Sequence, residues 1–415
     1  MANNPFIDSL PTIHSYADFE KLIELRPDIS SVFSSLSHDD REEYLEDDIY
    51  IPSQFAWEVY QNITRMMRKG YRKRNPLDNS FIKHNHEWSF KKNDLNTECF
   101  AEKRGLAGVI SGPSGYGKTV LVDRLLQLIP KTRLHNFDSL IPNSSFLQIV
   151  WIKIDCDADS RKETLLNIAR QIQSHVPHDI GVAHLSRLNT PELRKGVVAI
   201  CRQFAVGLVV IDECQTLTSL PFEKDGKTTS TEFLEKLYQD LGVPLLTIGT
   251  PDYRDLLKLR PQTYRRMTQN LSLKVTGYDE GDEFWEKLLR VYICNVVFPN
   301  SKLPSKKKRE FIHAATCGNV SLLEKLCSAM LILRNSRSET QLTEDFLMAV
   351  YQAVKADLTI SKSLLGLGDA EIEEGALRFN HKSSTSKKKD KTKEEAIDDA
   401  GEKYRQKILN LRKQR

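Results

Sequence analysis

The chain has 415 residues, a formal net charge of +4, 28% charged side chains and 40% hydrophobic ones. That is the balance of a soluble globular protein. It excludes a chain of membrane spans or a wholly disordered one, since no apolar run approaches the roughly 20 residues a spanning helix needs. The start, MANNPFIDSLP, lacks the basic-then-apolar pattern of a secretory signal.

The charge is uneven. Residues 381–415 hold 12 Lys/Arg and 6 Asp/Glu, a net of +6, whereas the other 380 residues hold 48 and 50, a net of −2. Any DNA binding by the body must therefore come from local patches. Seven cysteines (Cys99, Cys156, Cys201, Cys214, Cys294, Cys317, Cys327) form no C-x-x-C pair, so buried thiols are expected rather than a zinc site or a disulfide framework.

In chain order, residues 1–76 read as an N-terminal extension with short helical patterns at 14–23 and 39–47. A longer helical pattern spans Pro52–Gly70 and ends in the basic cluster Arg68, Lys69, Arg72, Lys73 and Arg74. Residues 77–277 read as an α/β core. Apolar runs at 106–110, 147–154, 208–211, 245–248 and 271–275 alternate with helical patterns at 118–128, 161–174, 191–204 and 231–241. Such alternation predicts a parallel five-stranded sheet flanked by helices. Residues 278–360 read as a helical lid, with patterns at 280–294, 306–316, 320–333 and 343–354. Residues 361–415 read as a basic tail, low in complexity at 382–393, with a thin helical stripe at 394–415.

Four elements carry chemistry. Gly112, Pro113, Ser114, Gly115, Tyr116, Gly117, Lys118 and Thr119 fit G-x-x-x-x-G-K-[ST], after a predicted strand and at the start of a predicted helix. Backbone N–H groups and the helix N-terminus can then surround ATP phosphates, with Lys118 on the β- and γ-phosphates and the Thr119 hydroxyl on Mg2+. Val120, next on that helix, belongs to the same nucleotide-binding set. Leu208–Glu213 is an apolar strand ending in two carboxylates, Asp212 for the metal and Glu213 for the attacking water. Leu245–Thr250 is another apolar strand, ending in a hydroxyl able to meet the γ-phosphate. Arg254, Arg260, Arg265 and Arg266 follow; an arginine supplied in trans can stabilise a phosphoryl transition state, and Arg265 and Arg266 are the candidates.

Together these features resemble an AAA+ P-loop ATPase, and more closely the TnsC/TniB-type transposition regulators of Tn-seven-like elements. The finer likeness rests on residues 4–11 (NPFIDSLP), 70–76 (GYRKRNP), 208–215 (LVVIDECQ) and 242–251 (GVPLLTIGTP). The resemblance implies an ATPase of the bacterial cytoplasm, with no membrane partner, that assembles as rings or filaments on duplex DNA without reading sequence. It implies a link from a target-selection protein or guided complex to a transposase, and disassembly on hydrolysis. It makes Thr250 the sensor 1 residue and favours a place for Gly70–Pro76, with Arg74, near the adenine. A docking arm or a purely stabilising helix are the other readings of that segment. DNA inside a ring would meet inward-facing cations. The candidates are Arg161, Lys162 and Lys195, with Arg187 and Arg194 nearby, or else the lysine run at 387–393. The lid stretch 316–323 lacks the arginine that such lids often carry. Two rival readings share the same phosphate site: an AAA+ ATPase of DNA replication, and a P-loop signalling ATPase that binds no DNA.

Overall fold

The computed structural model describes residues 4–25, 41, 45, 49–72, 74–78, 106–136, 145–157, 160–218 and 230–364. The chain divides into two compact units. One comprises residues 1–22, 54–112 and 118–275; the other comprises 23–53, 113–117 and 276–415.

The first unit is built on a sheet of β1 (Ala107–Ser111), β4 (Ile152–Asp155), β5 (Val209–Asp212), β6 (Leu245–Gly249) and β7 (Leu271–Lys274). Their order is β4-β5-β6-β1-β7 and every neighbouring pair is parallel, as the alternating pattern predicted. The three middle strands, β5, β6 and β1, are buried at every residue. That is why they read as unbroken apolar runs: both faces are covered by helices. Those helices start where the sequence supplies caps. Ser160 accepts from the N–H groups of Lys162 and Glu163 to open Arg161–Gln173. Asn189 accepts from Glu192 N–H, 2.9 Å, to open Thr190–Gln203. Each such cap contributes about 1 kcal/mol.

The structure departs from the sequence reading in two strands. The apolar run 147–154 is not one strand but two. β3 (Ser145–Ile149) pairs antiparallel with β2 (Thr132–Asn136), and β4 enters the main sheet after a break at Val150 and Trp151. β2, Thr-Arg-Leu-His-Asn, carries no apolar alternation to betray it, because its residues are half-buried or exposed.

The second unit is helical. Glu283–Leu289 runs on as a π-helix over Arg290–Val297, where the pattern predicted one regular helix; Lys306–Thr316, Val320–Arg337 and Glu344–Leu364 follow. Trp285, Tyr292, Phe311, Leu326 and Phe346 are in its core, joined by Leu45 and Ile51. Of the segment 39–47 only Arg41 and Leu45 are described, and Cys99, the 382–393 run and the 394–415 pattern lie outside the described residues. No single described helix is long and apolar enough to cross a membrane.

The stretches that carry the finer resemblance meet one another. The Asn4 amide donates to Tyr71 O at 2.9 Å, and the Phe6 and Tyr71 rings are 5.5 Å apart. The Tyr71 hydroxyl donates to Ala205 O at 2.9 Å and Arg74 Nη1 to Val206 O at 2.7 Å, just before β5. Gly70 lies against the Pro244 ring, where a methyl group would come within 2.8 Å. Segments 4–11, 70–76, 208–215 and 242–251 thus belong to one packing unit around the N-terminal ends of β5 and β6.

Candidate nucleotide site

The carboxyl ends of β1, β6 and β5 bring the predicted residues to one edge of the sheet. β6 lies between β1, which leads into the glycine loop, and β5, which ends at Asp212. Ligands of open α/β sheets bind at such an edge. Gly115 and Gly117 adopt φ of +72° and +71°, a left-handed backbone that favours glycine and that loops cradling anions commonly use. Lys118 opens the helix Lys118–Gln127 and is only 9% exposed. Burial lowers its pKa, against the pull of the Asp212 and Glu213 carboxylates. Val120 is 51% exposed beside it, an apolar surface free to meet a ligand.

Asp212 is 2% exposed, and its two oxygens are separately engaged. Oδ2 accepts from the Thr119 hydroxyl at 2.9 Å, and Oδ1 accepts from Glu213 N–H at 2.8 Å. Lys153 Nζ, on β4, is 3.4 Å from Asp212 Oδ2 and 2.6 Å from Asp123 Oδ1. Sequence reasoning missed Lys153. The available signal was a single cation inside the apolar run Ile-Val-Trp-Ile-Lys-Ile. Glu213 is exposed, has a left-handed φ of 53°, and accepts from the Gln215 amide. Thr250 starts the helix Pro251–Lys258 but makes no capping bond, and its buried hydroxyl has no hydrogen-bond partner. An orphaned hydroxyl at this edge fits a ligand oxygen. A hydroxyl and a carboxylate as hard donors, leaving other positions to phosphate oxygens and water, also fit Mg2+.

The second unit holds the tip of the loop. Burial raises the pKa of the Tyr116 phenol, and the neighbouring Asn319, which caps the lid helix Val320–Arg337, opposes that rise.

Other predicted residues fall elsewhere. Arg74 was expected near the adenine. Its bonds to Val206 O and Gly70 O put the guanidinium at the amino end of β5, opposite the phosphate loop, where it ties the N-terminal helix to the core. Arg161 was expected on DNA but is 8% exposed, which leaves little of it to meet a duplex. Lys162 is half-buried, Lys195 and Arg187 are exposed, and Arg194 pairs with Asp240 at 2.7 Å. Among the arginines after Thr250, Arg254 binds Ser111 Oγ, Ser272 Oγ, Leu273 O and Tyr264 OH, and so braces β1 and β7. Arg260 pairs with Glu232 and Arg266 with Glu235, while Arg265 is exposed.

Residues 101–257 match the family model described as an AAA domain. Over this segment the chain is similar to an AAA domain. With the β4-β5-β6-β1-β7 order, the first unit has the AAA+ P-loop NTPase α/β fold. No curated protein matches the chain. Among solved structures the chain is similar to Drosophila ORC bound to DNA, at 13% identity over 85% of this chain and 78% of that one, TM-score 0.43. It is also similar to the Aeropyrum pernix ORC1 protein in complex with DNA, at 14% identity over 66% and 69%, TM-score 0.37. Domain III of the Thermotoga maritima replication initiation protein DnaA matches at 15% identity over 66% and 92%, TM-score 0.35. Likenesses this distant carry no argument about the AAA domain's ligands.

Proposed function

We propose that the chain is an ATP-hydrolysing, DNA-binding regulator of DNA transposition. It assembles on target duplex DNA with ATP bound, links a target-selection factor to a transposase, and leaves the DNA on hydrolysis. The observation that carries the ATP part is the Thr119–Asp212 hydrogen bond beside buried Lys118, with the unpartnered Thr250 hydroxyl at the same sheet edge.

When bound, magnesium supplies positive charge to the phosphate oxygens, and Thr119 and Asp212 are the residues to hold it. The loop N–H groups and Lys118 bind the phosphates. Glu213, exposed at the end of β5, orients a water and takes its proton. The Thr250 hydroxyl donates to the γ-phosphate or to that water. Arg265, exposed where Arg254, Arg260 and Arg266 are engaged internally, is the arginine offered to a neighbouring copy.

The transposition part rests on the likeness of the four stretches to TnsC/TniB-type regulators. Their meeting in one packing unit supports reading them as a single signature rather than four chance matches. The test is electron microscopy of the protein with duplex DNA, with and without a slowly hydrolysed ATP analogue. Rings or filaments that need both are expected. A monomer indifferent to DNA would remove the transposition reading and leave the nucleotide site standing.

A further inference from the structure

The helix Gln54–Tyr71 carries a surface that the nucleotide site does not use. Residues 59–77 hold six Lys/Arg and no Asp/Glu, in a body whose overall charge is slightly negative. Arg65, Arg68, Lys69 and Arg72 line one side of a recess of about 490 Å³, facing Pro11 and Ile13 of the N-terminal segment. Arg68 is held there by Pro11 O at 3.0 Å and Thr12 Oγ1 at 3.1 Å; Arg65, Lys69 and Arg72 are exposed.

The aromatic lining is already spent on the fold. Trp57 and Tyr60 stack at 5.7 Å, pack on Phe19, and are 7% and 2% exposed. No ring face is available for an unpaired base, and an acidic peptide would bury little apolar surface. What the recess offers is its cationic rim. From Arg65 to Arg72 the rim runs about 10 Å along the helix axis. Against about 3.4 Å of duplex rise per phosphate on one strand, it passes about three phosphates.

We propose that Arg65, Lys69 and Arg72 grip the phosphate backbone of duplex DNA, in a contact that is independent of base sequence and separate from the sheet edge that binds ATP. The proposal rests on the DNA-binding reading above and names where the body of the chain meets the duplex. Arg68 positions the rim by fixing the N-terminal segment against it.

The experiment measures fluorescence anisotropy of a labelled mixed-sequence duplex, titrated with the full chain and a slowly hydrolysed ATP analogue over a range of salt concentrations. In the variant Arg65→Ala/Lys69→Ala/Arg72→Ala, affinity should fall about tenfold or more. The slope of log affinity against log salt should shrink by about 2 to 3, at about 0.9 for each phosphate no longer neutralised. Affinity for a labelled nucleotide should match the wild type, which also shows that the variant is folded. The charge-keeping variant Arg65→Lys/Arg72→Lys should retain most of the slope. An unchanged slope in the alanine variant overturns the proposal and leaves the recess to an acidic protein segment. An equal loss in the charge-keeping variant also overturns it, since packing rather than charge would then be at work. A wild type that binds no duplex at all refutes the DNA-binding reading itself, a separate result.

Discussion

The Thr119 hydroxyl donates to Asp212 Oδ2 across 2.9 Å, so the two side chains expected to share a metal ion already share a proton. Lys153, 3.4 Å from the same oxygen, pairs with this buried carboxylate and holds it in place. Because the hydroxyl gives its proton to Asp212, its lone pairs stay available, and Thr119 and Asp212 would together hold magnesium when magnesium nucleotide is bound. Replacing Asp212 by Asn removes the anionic ligand but keeps the shape. The magnesium concentration needed for half-maximal binding of a labelled ATP analogue should rise by about 10- to 100-fold or more, the scale seen when even an outer partner of a metal ligand is removed. A magnesium titration that matches the wild type would remove Asp212 from the metal's ligands.

Glu213 stands one residue beyond Asp212, exposed, on a left-handed backbone that costs a non-glycine residue about 1–2 kcal/mol. Glu213→Gln keeps the side chain's size and removes its basicity. Hydrolysis should slow by about 10²- to 10⁴-fold while ATP affinity stays near wild type, so that the ATP-bound form accumulates. Single-turnover hydrolysis beside a binding titration separates the two effects. A normal hydrolysis rate would exclude Glu213 as the base.

Thr250 predicts an opposite pair of effects. Its hydroxyl is buried without a partner, and such a group costs about 1–3 kcal/mol. Thr250→Val removes that cost with little change of shape, so the melting temperature of the nucleotide-free protein should rise or hold. The same change removes a donor to the γ-phosphate or the attacking water, and kcat should fall by about 10²- to 10³-fold. A thermal melt and a steady-state ATPase assay test both. A variant that is less stable and fully active would mean the hydroxyl serves the fold.

Much of this was legible in the sequence, for identifiable reasons. The strands β1, β5 and β6 are buried on both faces, so composition alone marks them, and Lys118, Thr119, Asp212, Glu213 and Thr250 sit at their ends by chain continuity. The hairpin strand β2 was not legible, because its side chains are not sorted by burial. Lys153 was hidden because a lone lysine in an apolar run says nothing of its partner until β4 is paired with β5. Arg74 misled because its place in the sequence does not say which end of the sheet its side chain reaches. Only the contact with Val206 O reveals at which end of the sheet it lies. Arg161 misled because a cation at a helix start reads as solvated, whereas here it is buried.

The lowered pKa of Lys118 has a visible consequence for nucleotide affinity. Burial disfavours the ammonium in the empty site, and the negative charge of bound phosphates favours it. Binding therefore draws on the protonated form. Affinity should be full below the empty-site pKa of Lys118 and decline as pH rises through it, beginning below the ordinary lysine range. Titrating a labelled nucleotide across the alkaline range checks this. Lys118→Met should bind weakly and without that decline; a parallel decline in the variant would assign the titration to another group.

The relocation of Arg74 predicts a separation of stability from nucleotide binding at the far end of the sheet. A methyl group on Gly207 would lie 2.2 Å from the Tyr71 hydroxyl and 2.5 Å from Val150 O, and the second of these is backbone that cannot rotate away. Gly207→Ala should destabilise the protein by about 1–3 kcal/mol through overpacking. Arg74→Ala should leave Val206 O without its 2.7 Å donor, at about 1–3 kcal/mol. Neither change touches the edge that holds Lys118 and Asp212, so folded protein of either variant should bind a labelled nucleotide as the wild type does. Denaturant melts and binding titrations on the same samples make the comparison. A loss of nucleotide affinity in Arg74→Ala at full stability would return Arg74 to the nucleotide site and overturn the placement drawn from its contact with Val206.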